Sequence, residues 1–128
     1  MGIMYLEGSA VTKDYKKAVQ WFRLAADRGN AEAQGFLGGI FHDGGGGVTP
    51  DYKEAVKWYR LAADQGNAEA QMDLGKAYYY GHGVPQNHKE AAKWFRLSAD
   101  QGNADGQMLL AFMYSKGEGV AKDYREAM

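Results

Sequence analysis

Between Asp51 and Asn67 the apolar residues Ala55, Trp58, Tyr59, Ala62 and Ala63 fall at helical spacing, with charged residues between them. Asp51 opens the segment and Glu54 stands three residues on, the pattern of a capping box with Asp in the Ser/Thr place. Small alanines alternate with bulky Trp58, a pattern that lets neighbouring helices interlock. Gly66 reads as the helix C-cap, and Asn67 as the N-cap of a second helix with Glu69 in its positive first turn. That helix, AEAQMDLGKAYYYG (68–81), carries Ala70, Leu74 and Tyr78 on one face. A glycine inside a helix costs roughly 1 kcal/mol against alanine, so Gly75 predicts close approach of a paired helix.

The same two-helix pattern recurs. Asp14, Asp51, Asn87 and Asp123 are equivalent positions, spaced 37, 36 and 36 residues apart, with the extra residue in the first interval lying in Gly44–Gly47. Glu90 and Glu126 repeat the role of Glu54, while the first copy has Lys17 there and loses the reciprocal half of the box. Gly29 and Gly102 match Gly66; Asn30 and Asn103 match Asn67. Leu37 with Phe41 and Leu110 with Tyr114 match Leu74 with Tyr78, and Gly38 and Ala111 match Gly75. GHGV (81–84) and GEGV (117–120) read as turns, with GSAV (8–11) a weaker version. A period of this size predicts stacked supersecondary units, none of which buries its apolar face alone. The expected architecture is a single all-α domain over residues 1–128. It comprises a truncated first helix at 1–8, helix pairs within 14–43, 51–81 and 87–117, and a truncated last helix at 122–128.

These residues resemble the Sel-like repeat family, a relative of the tetratricopeptide repeats. The shared pattern is A-x-A-Q-x-x-L-G-x-x-Y, then G-x-G-V, then D-Y-x-x-A-x-x-W-[FY]-x-x-A-A-x-x-G, and it covers essentially the whole chain. The resemblance implies a right-handed α/α superhelix, a solenoid with a concave face, and an adaptor role in protein complexes. It also implies export, common among bacterial members. The chain departs from the pattern in its long Gly44–Gly47 turn, in Gly35, Gly39 and Gly106, which should weaken the first and third units, and in His88 at the position of Tyr15, Tyr52 and Tyr124. Incomplete end repeats suggest head-to-tail self-association through Ile3 and Tyr5 at one end and Tyr124 and Met128 at the other.

Composition narrows the function. In 128 residues, 45% are hydrophobic, 24% are charged and the net charge is −1, which offers no electrostatic footprint for nucleic acid. Cysteine is absent, so neither disulfides nor thiolate metal sites arise. No apolar run approaches the ~20 residues that span a bilayer. Residues 1–11 lack a basic stretch and meet Glu7 after a few apolar residues, unlike a signal peptide.

Candidate chemistry is sparse. His42, His82 and His88 lack metal-motif spacing, and HDGGGG lacks the Lys-Ser/Thr of a phosphate loop. No nucleophile–base constellation is present, so neither an enzyme nor a cofactor is expected. The paired carboxylates recur with the period, as caps and helix-face charges do. Lys16, Lys53, Lys89 and Arg125 form one basic column and Arg23, Arg60 and Arg96 another, both expected on the outer surface beside acidic columns. Glu54–Lys57 and Glu90–Lys93 are expected ion pairs, and Trp21, Trp58 and Trp94 expected core.

Positions that escape the period are free to bind. By the tetratricopeptide analogy the first helix of each pair lines the concave face. The candidates there are Glu32, Gly35, Gly39, His42 and Asp43; then Glu69, Met72, Lys76, Tyr79 and Tyr80; then Asp105, Met108, Phe112, Ser115 and Lys116. Exposed Tyr, Met and Phe beside a few charges suit a protein or peptide partner. Partial burial of these Tyr, Met and Phe side chains against the neighbouring first helix is the competing reading. A structural or self-associating array and a glycan-binding module in the cell envelope remain the alternatives to a peptide groove.

Overall fold

The computed structural model describes residues 8–45 and 47–118, with side chains from Lys16 onward. Among the described residues there are six helices and no strand: α1 (Gly8–Asp27), α2 (Ala31–Asp43), α3 (Tyr52–Asp64), α4 (Ala68–Tyr80), α5 (His88–Asp100) and α6 (Ala104–Lys116). Each packs chiefly against its neighbours in sequence, most extensively α2 with α3 and α4 with α5. The core is serial: one apolar cluster joins α1, α2 and α3, a second joins α3, α4 and α5, and a third joins α4, α5 and α6.

The recurring decapeptide builds the reversal between helices. At its centre Asn67 N–H donates to Ala62 O at 3.2 Å and Gly66 N–H to Ala63 O at 2.9 Å, closing α3 in a Schellman motif. Gly66 takes φ +93° there, a conformation that favours glycine. The side chain of Asn67 then accepts from Ala70 N–H at 2.8 Å to cap α4. Asn30 and Asn103 cap α2 and α6 in the same way.

Glutamines tie successive junctions together. Gln34, Gln71 and Gln107 donate their side-chain amides to the carbonyls of Ala26, Ala63 and Ala99 at 3.1, 3.2 and 3.2 Å. Gln65 donates to the side-chain oxygen of Gln34, and Gln101 to that of Gln71, both at 2.8 Å. Gln34 and Gln71 are buried, so these bonds satisfy polar groups that would otherwise be stranded away from water.

Gly38 and Gly75 mark close approach, as expected. A methyl group at Gly75 would lie 2.6 Å from Phe95 Cδ1, and one at Gly38 would overlap the Tyr59 ring. Gly106 makes room for a neighbouring side chain. A Cβ there would lie 2.8 Å from Ser98 Oγ, and Ser98 replaces the smaller Ala62 of the preceding unit while Gly106 replaces Ala70. The added hydroxyl is thus matched by a lost methyl, and it donates to Ala68 O at 2.8 Å.

Several expectations need correction. GSAV is not a turn: α1 runs unbroken from Gly8 to Asp27, with Asp14 inside it. A turn of the GHGV kind uses positive φ at both Gly81 and Gly83, and GSAV has only one glycine. The capping boxes are half-formed. Asp51 and Asn87 side chains accept from Glu54 and Glu90 N–H, but their own N–H groups donate to Phe41 O and Tyr78 O. Glu54 and Glu90 turn instead to Lys57 and Lys93, each at 3.3 Å, and Glu54 also accepts from Trp58 Nε1. The arginine column is not wholly outward. Arg60 lies over the Tyr78 ring and donates to its hydroxyl, Arg96 does the same to Tyr114, and Arg23 lies over Phe41 and Trp58.

Trp58 and Trp94 are buried, but Trp21 is 69% exposed. Each buried tryptophan reaches back into the preceding unit, Trp58 against Ala33 and Leu37, Trp94 against Ala70 and Leu74. Among the described residues no element precedes α1 to cover Trp21. The expected helix at 1–8 lies outside the described residues except for Gly8, which opens α1; the helix at 122–128 and the end residues Ile3, Tyr5, Tyr124 and Met128 also lie outside them.

Candidate functional site

Three adjoining hollows run along α2, α4 and α6. The first, about 490 Å³, lies between α2 and α4. Gly35 and Gly39 leave its floor bare, Phe36, Ile40 and Ala70 give it apolar walls, and Glu32, Asp43, Glu69 and Asp73 supply four carboxylates. The second, about 370 Å³, shares Asp43 and Asp73 with the first and adds His42, Tyr59, Lys76, Tyr80 and His82. The third, about 800 Å³, shares Lys76 and Tyr80 with the second and opens onto Asp105, Leu109, Phe112 and Ser115 of α6. Shared residues at each boundary make the three one groove.

Helical caps aim these side chains. Gly44 and Gly81 stop α2 and α4 with φ of +77° and +76°, which leaves His42, Asp43 and Tyr80 on the last turns beside the following loops. His82, in the loop after α4, then meets α2. Its ring stacks on Tyr52 at 4.4 Å and lies 5.6 Å from Tyr80. His42 Nε2 and His82 Nδ1 are 3.3 Å apart, and His42 Nδ1 lies 2.9 Å from Asp43 Oδ1. With Nδ1–H donated to Asp43, His42 accepts at Nε2 from Nδ1–H of His82. This pairing ties the end of α2 to the loop between α4 and α5.

Asp73 is the electrostatic centre. Its carboxyl is pushed up to about 6, chiefly by burial; Glu69 and Asp43 push the same way, while Lys76 and His42 oppose. No hydrogen bond or ion pair among the described residues holds it. Burial also pushes the Tyr59 hydroxyl well above the usual phenol range, with Asp73 and then Asp43 adding to it, so Tyr59 faces the groove as a neutral phenol. A carboxylate whose folded pKa is raised favours the native state when protonated. That contribution is present below about pH 4 and is lost as pH rises through about 6. Asp73→Asn is therefore expected to stabilise the fold by about 2 kcal/mol at pH 8 and to change it little at pH 4. Urea denaturation at the two pH values reads this; equal effects at both would contradict it.

Of the residues singled out from the sequence, Glu69, Lys76, Tyr80, His42, Asp43, Met108 and Phe112 line the groove, as do Glu32, Gly35, Gly39, Asp105 and Ser115. Met72 does not. It is 7% exposed and packs with Ala91, Phe95 and Met113, because its helix position turns toward the next unit. Met108, its equivalent on α6, is exposed where no described helix follows. Tyr79 leaves the groove too: its hydroxyl donates to Glu118 Oε1 at 2.8 Å and its ring stacks on His88 at 4.6 Å. The bond to Glu118 holds the Tyr79 hydroxyl above its ordinary pKa. Lys116 lines none of the three hollows; it lies on the last turn of α6 with its Nζ 5.0 Å from the Phe112 ring centre.

The sequence reading leaves Asp73, Phe36, Tyr59 and His82 out of the groove, taking Tyr59 as an apolar helix position and His82 only as a histidine without metal-motif spacing. Asp73, Phe36 and Leu109 are one repeat position with three unlike residues, the same signal of irregularity that picked out the others. Among the described residues no three His, Asp or Glu side chains gather as a metal site. None of the described helices is long and apolar enough to cross a membrane.

The Sel1 repeat family matches the chain over residues 1–30, 31–67, 68–103 and 104–128. Among solved structures the chain is similar to a protective antigen of uropathogenic Escherichia coli strains that displays an SLR fold. The two share 44% identity and a TM-score of 0.87 over 98% of this chain and 27% of that one. It is also similar to a Sel1 repeat protein from Oxalobacter formigenes, at 34% identity and TM-score 0.85, over 98% of this chain and 51% of the other. Helicobacter pylori cysteine rich protein B shares the fold, at 21% identity and TM-score 0.69 over 94% of this chain and 86% of its own. The chain thus spans about a quarter and about half of the first two. No curated protein matches it. The helix stack is an all-α repeat solenoid of the kind these structures share.

Proposed function

The chain belongs to the Sel1 repeat family, and from that premise we propose that it is a protein-interaction scaffold whose groove along α2, α4 and α6 holds a peptide or an extended segment of a partner protein. The observation that carries this reading is the split between repeating and irregular positions. Period-keeping residues such as Leu37, Leu74, Ala62 and Trp58 are buried, whereas the groove adds to the recurring Glu32, Glu69 and Asp105 two repeat positions that break the period, Phe36/Asp73/Leu109 and Gly39/Lys76/Phe112. Tyr80, 60% exposed, and Phe112 offer the rigid aromatic anchors on which peptide interfaces concentrate their energy. The reading is of a binding surface, with no catalytic step assigned to it.

Tyr80→Ala with Phe112→Ala is expected to weaken partner capture by at least about tenfold, since anchors of this kind carry 1.4 kcal/mol or more each. Both side chains are largely solvated, so the melting temperature should move little. Affinity capture from the native host with the intact chain and the double variant measures it. Undiminished capture of the same partner would remove the groove from the account.

Self-association is the second reading, supported by Trp21 and Leu24, which stand exposed together on α1 beside Ala25 and Arg28. Light scattering that finds a dimer dispersed by Trp21→Ala would favour it.

A further inference from the structure

Resting on that groove reading, we infer that the hollow between α2 and α4 is the subsite for a lysine or arginine side chain of the docked segment, its methylene stem laid against Phe36 and Ile40 and its charged head turned to Asp73 and Asp43. Three observations lead there. Four carboxylates line the hollow and no lysine or arginine does. Its walls are not merely acidic: Phe36 is 59% exposed, and Ile40 and Ala70 continue the apolar surface. The floor is bare backbone, for Gly35 has nothing within 4 Å of where a Cβ would stand.

Long cationic side chains suit such a mixed wall, because they bury an apolar stem while the head stays polar. A guanidinium can also stack on the open face of Phe36. Other occupants fit less well. A purely apolar side chain would desolvate Asp73 further without giving it a partner. An acidic segment would meet Glu32, Glu69, Asp43 and Asp73 with like charge. A bare divalent cation lacks its ligand set, since no three of the described carboxylates or imidazoles converge. The raised pKa of Asp73 agrees, for burial outweighs the pull of Lys76 and His42, and a cationic head in the hollow would favour the ionised form further. Since Asp73 also borders the second hollow and Tyr80 the third, the basic residue sits toward the α2 end and apolar residues toward Phe112.

The test uses a random peptide display library selected on the intact immobilised chain. Recovered peptides are made with a fluorescent label and titrated by anisotropy. The proteins are the wild type, Asp73→Asn, Gly35→Leu and the Tyr80→Ala/Phe112→Ala pair, each checked for fold by circular dichroism. Gly35→Leu fills open space on a helix, so it blocks the hollow without disturbing the stack. The inference expects a lysine or arginine at one fixed position of the recovered peptides. It expects at least about tenfold weaker binding to Asp73→Asn and to Gly35→Leu, and a non-additive cycle when that basic residue is replaced by methionine. Peptides that need Tyr80 and Phe112 but carry no fixed basic residue and bind Asp73→Asn at full strength would overturn the subsite and leave the groove standing. Recovery of no peptide, or of peptides indifferent to every groove variant, would overturn both.

Discussion

Trp58→Ala lowers the free energy of unfolding by about 3–5 kcal/mol, while Trp21→Ala, at the same repeat position one unit earlier, lowers it by about 0.5 kcal/mol or less. Trp58 is 3% exposed and packs with Ala26, Ala33, Leu37 and Ile40, so its loss leaves a cavity between two units. Its indole N–H also donates to Glu54 at 3.2 Å, and the truncation strands that acceptor beside Lys57 alone. Trp21 is mostly solvated and belongs to none of the apolar clusters among the described residues. Because each described helix packs chiefly against its neighbours in sequence, the Trp58 cavity uncouples α1 and α2 from the remainder rather than merely softening them. Urea denaturation followed by helical ellipticity measures both variants. Equal losses would mean that the interface between units is not where the stability resides.

Gly75→Val is expected to lower stability by about 3 kcal/mol. Its Cβ would meet Phe95 Cδ1 and Cε1 at 2.6 Å and Ala91 O at 3.2 Å. Phe95 is fully buried, so its ring cannot swing aside, and Ala91 O is backbone. Relief requires parting α4 from α5, which undoes one of the two most extensive helix contacts in the stack. Removing a mid-helix glycine returns roughly 1 kcal/mol of propensity at most, too little to offset that. The variant should also lose cooperativity, since the separated helices share the second and third apolar clusters. An unchanged denaturation midpoint would show that the helices yield freely.

These two outcomes bear on what was legible from the sequence. The period, the asparagine caps and the close approach at Gly38 and Gly75 could all be read, because each is a local rule that repeats: a junction must reverse, a paired backbone must fit. GSAV and Trp21 were misread for one reason, that equivalence in sequence was taken for equivalence in surroundings. Trp21 has the letters of Trp58 but not its preceding unit among the described residues, and residues 8–11 have one glycine where a turn needs two. The half-formed capping boxes failed because Phe41 O and Tyr78 O, far from Asp51 and Asn87 in the helical frame, took their N–H groups. In the groove, the irregular positions were recognised as a class, yet Met72 and Tyr79 turned away. Whether a helix position faces the hollow or the next unit differs by about 100° of rotation per residue, and neighbouring letters do not report that angle. Asp73 escaped for the opposite reason: an aspartate on an amphipathic helix looks like a solvated charge until Tyr59 and Ala77 are seen beside it.

The glutamine line has a consequence for how such a molecule changes length. Gln65 offers a hook to the junction behind it and Gln71 an eye to the one ahead, and both parts sit within the same short block of letters. Duplicating or excising one whole block therefore carries matching fasteners with it, as treads are added to a spiral staircase without recutting the others. A cut at any other phase separates hook from eye, so growth by complete steps is written into the joints themselves.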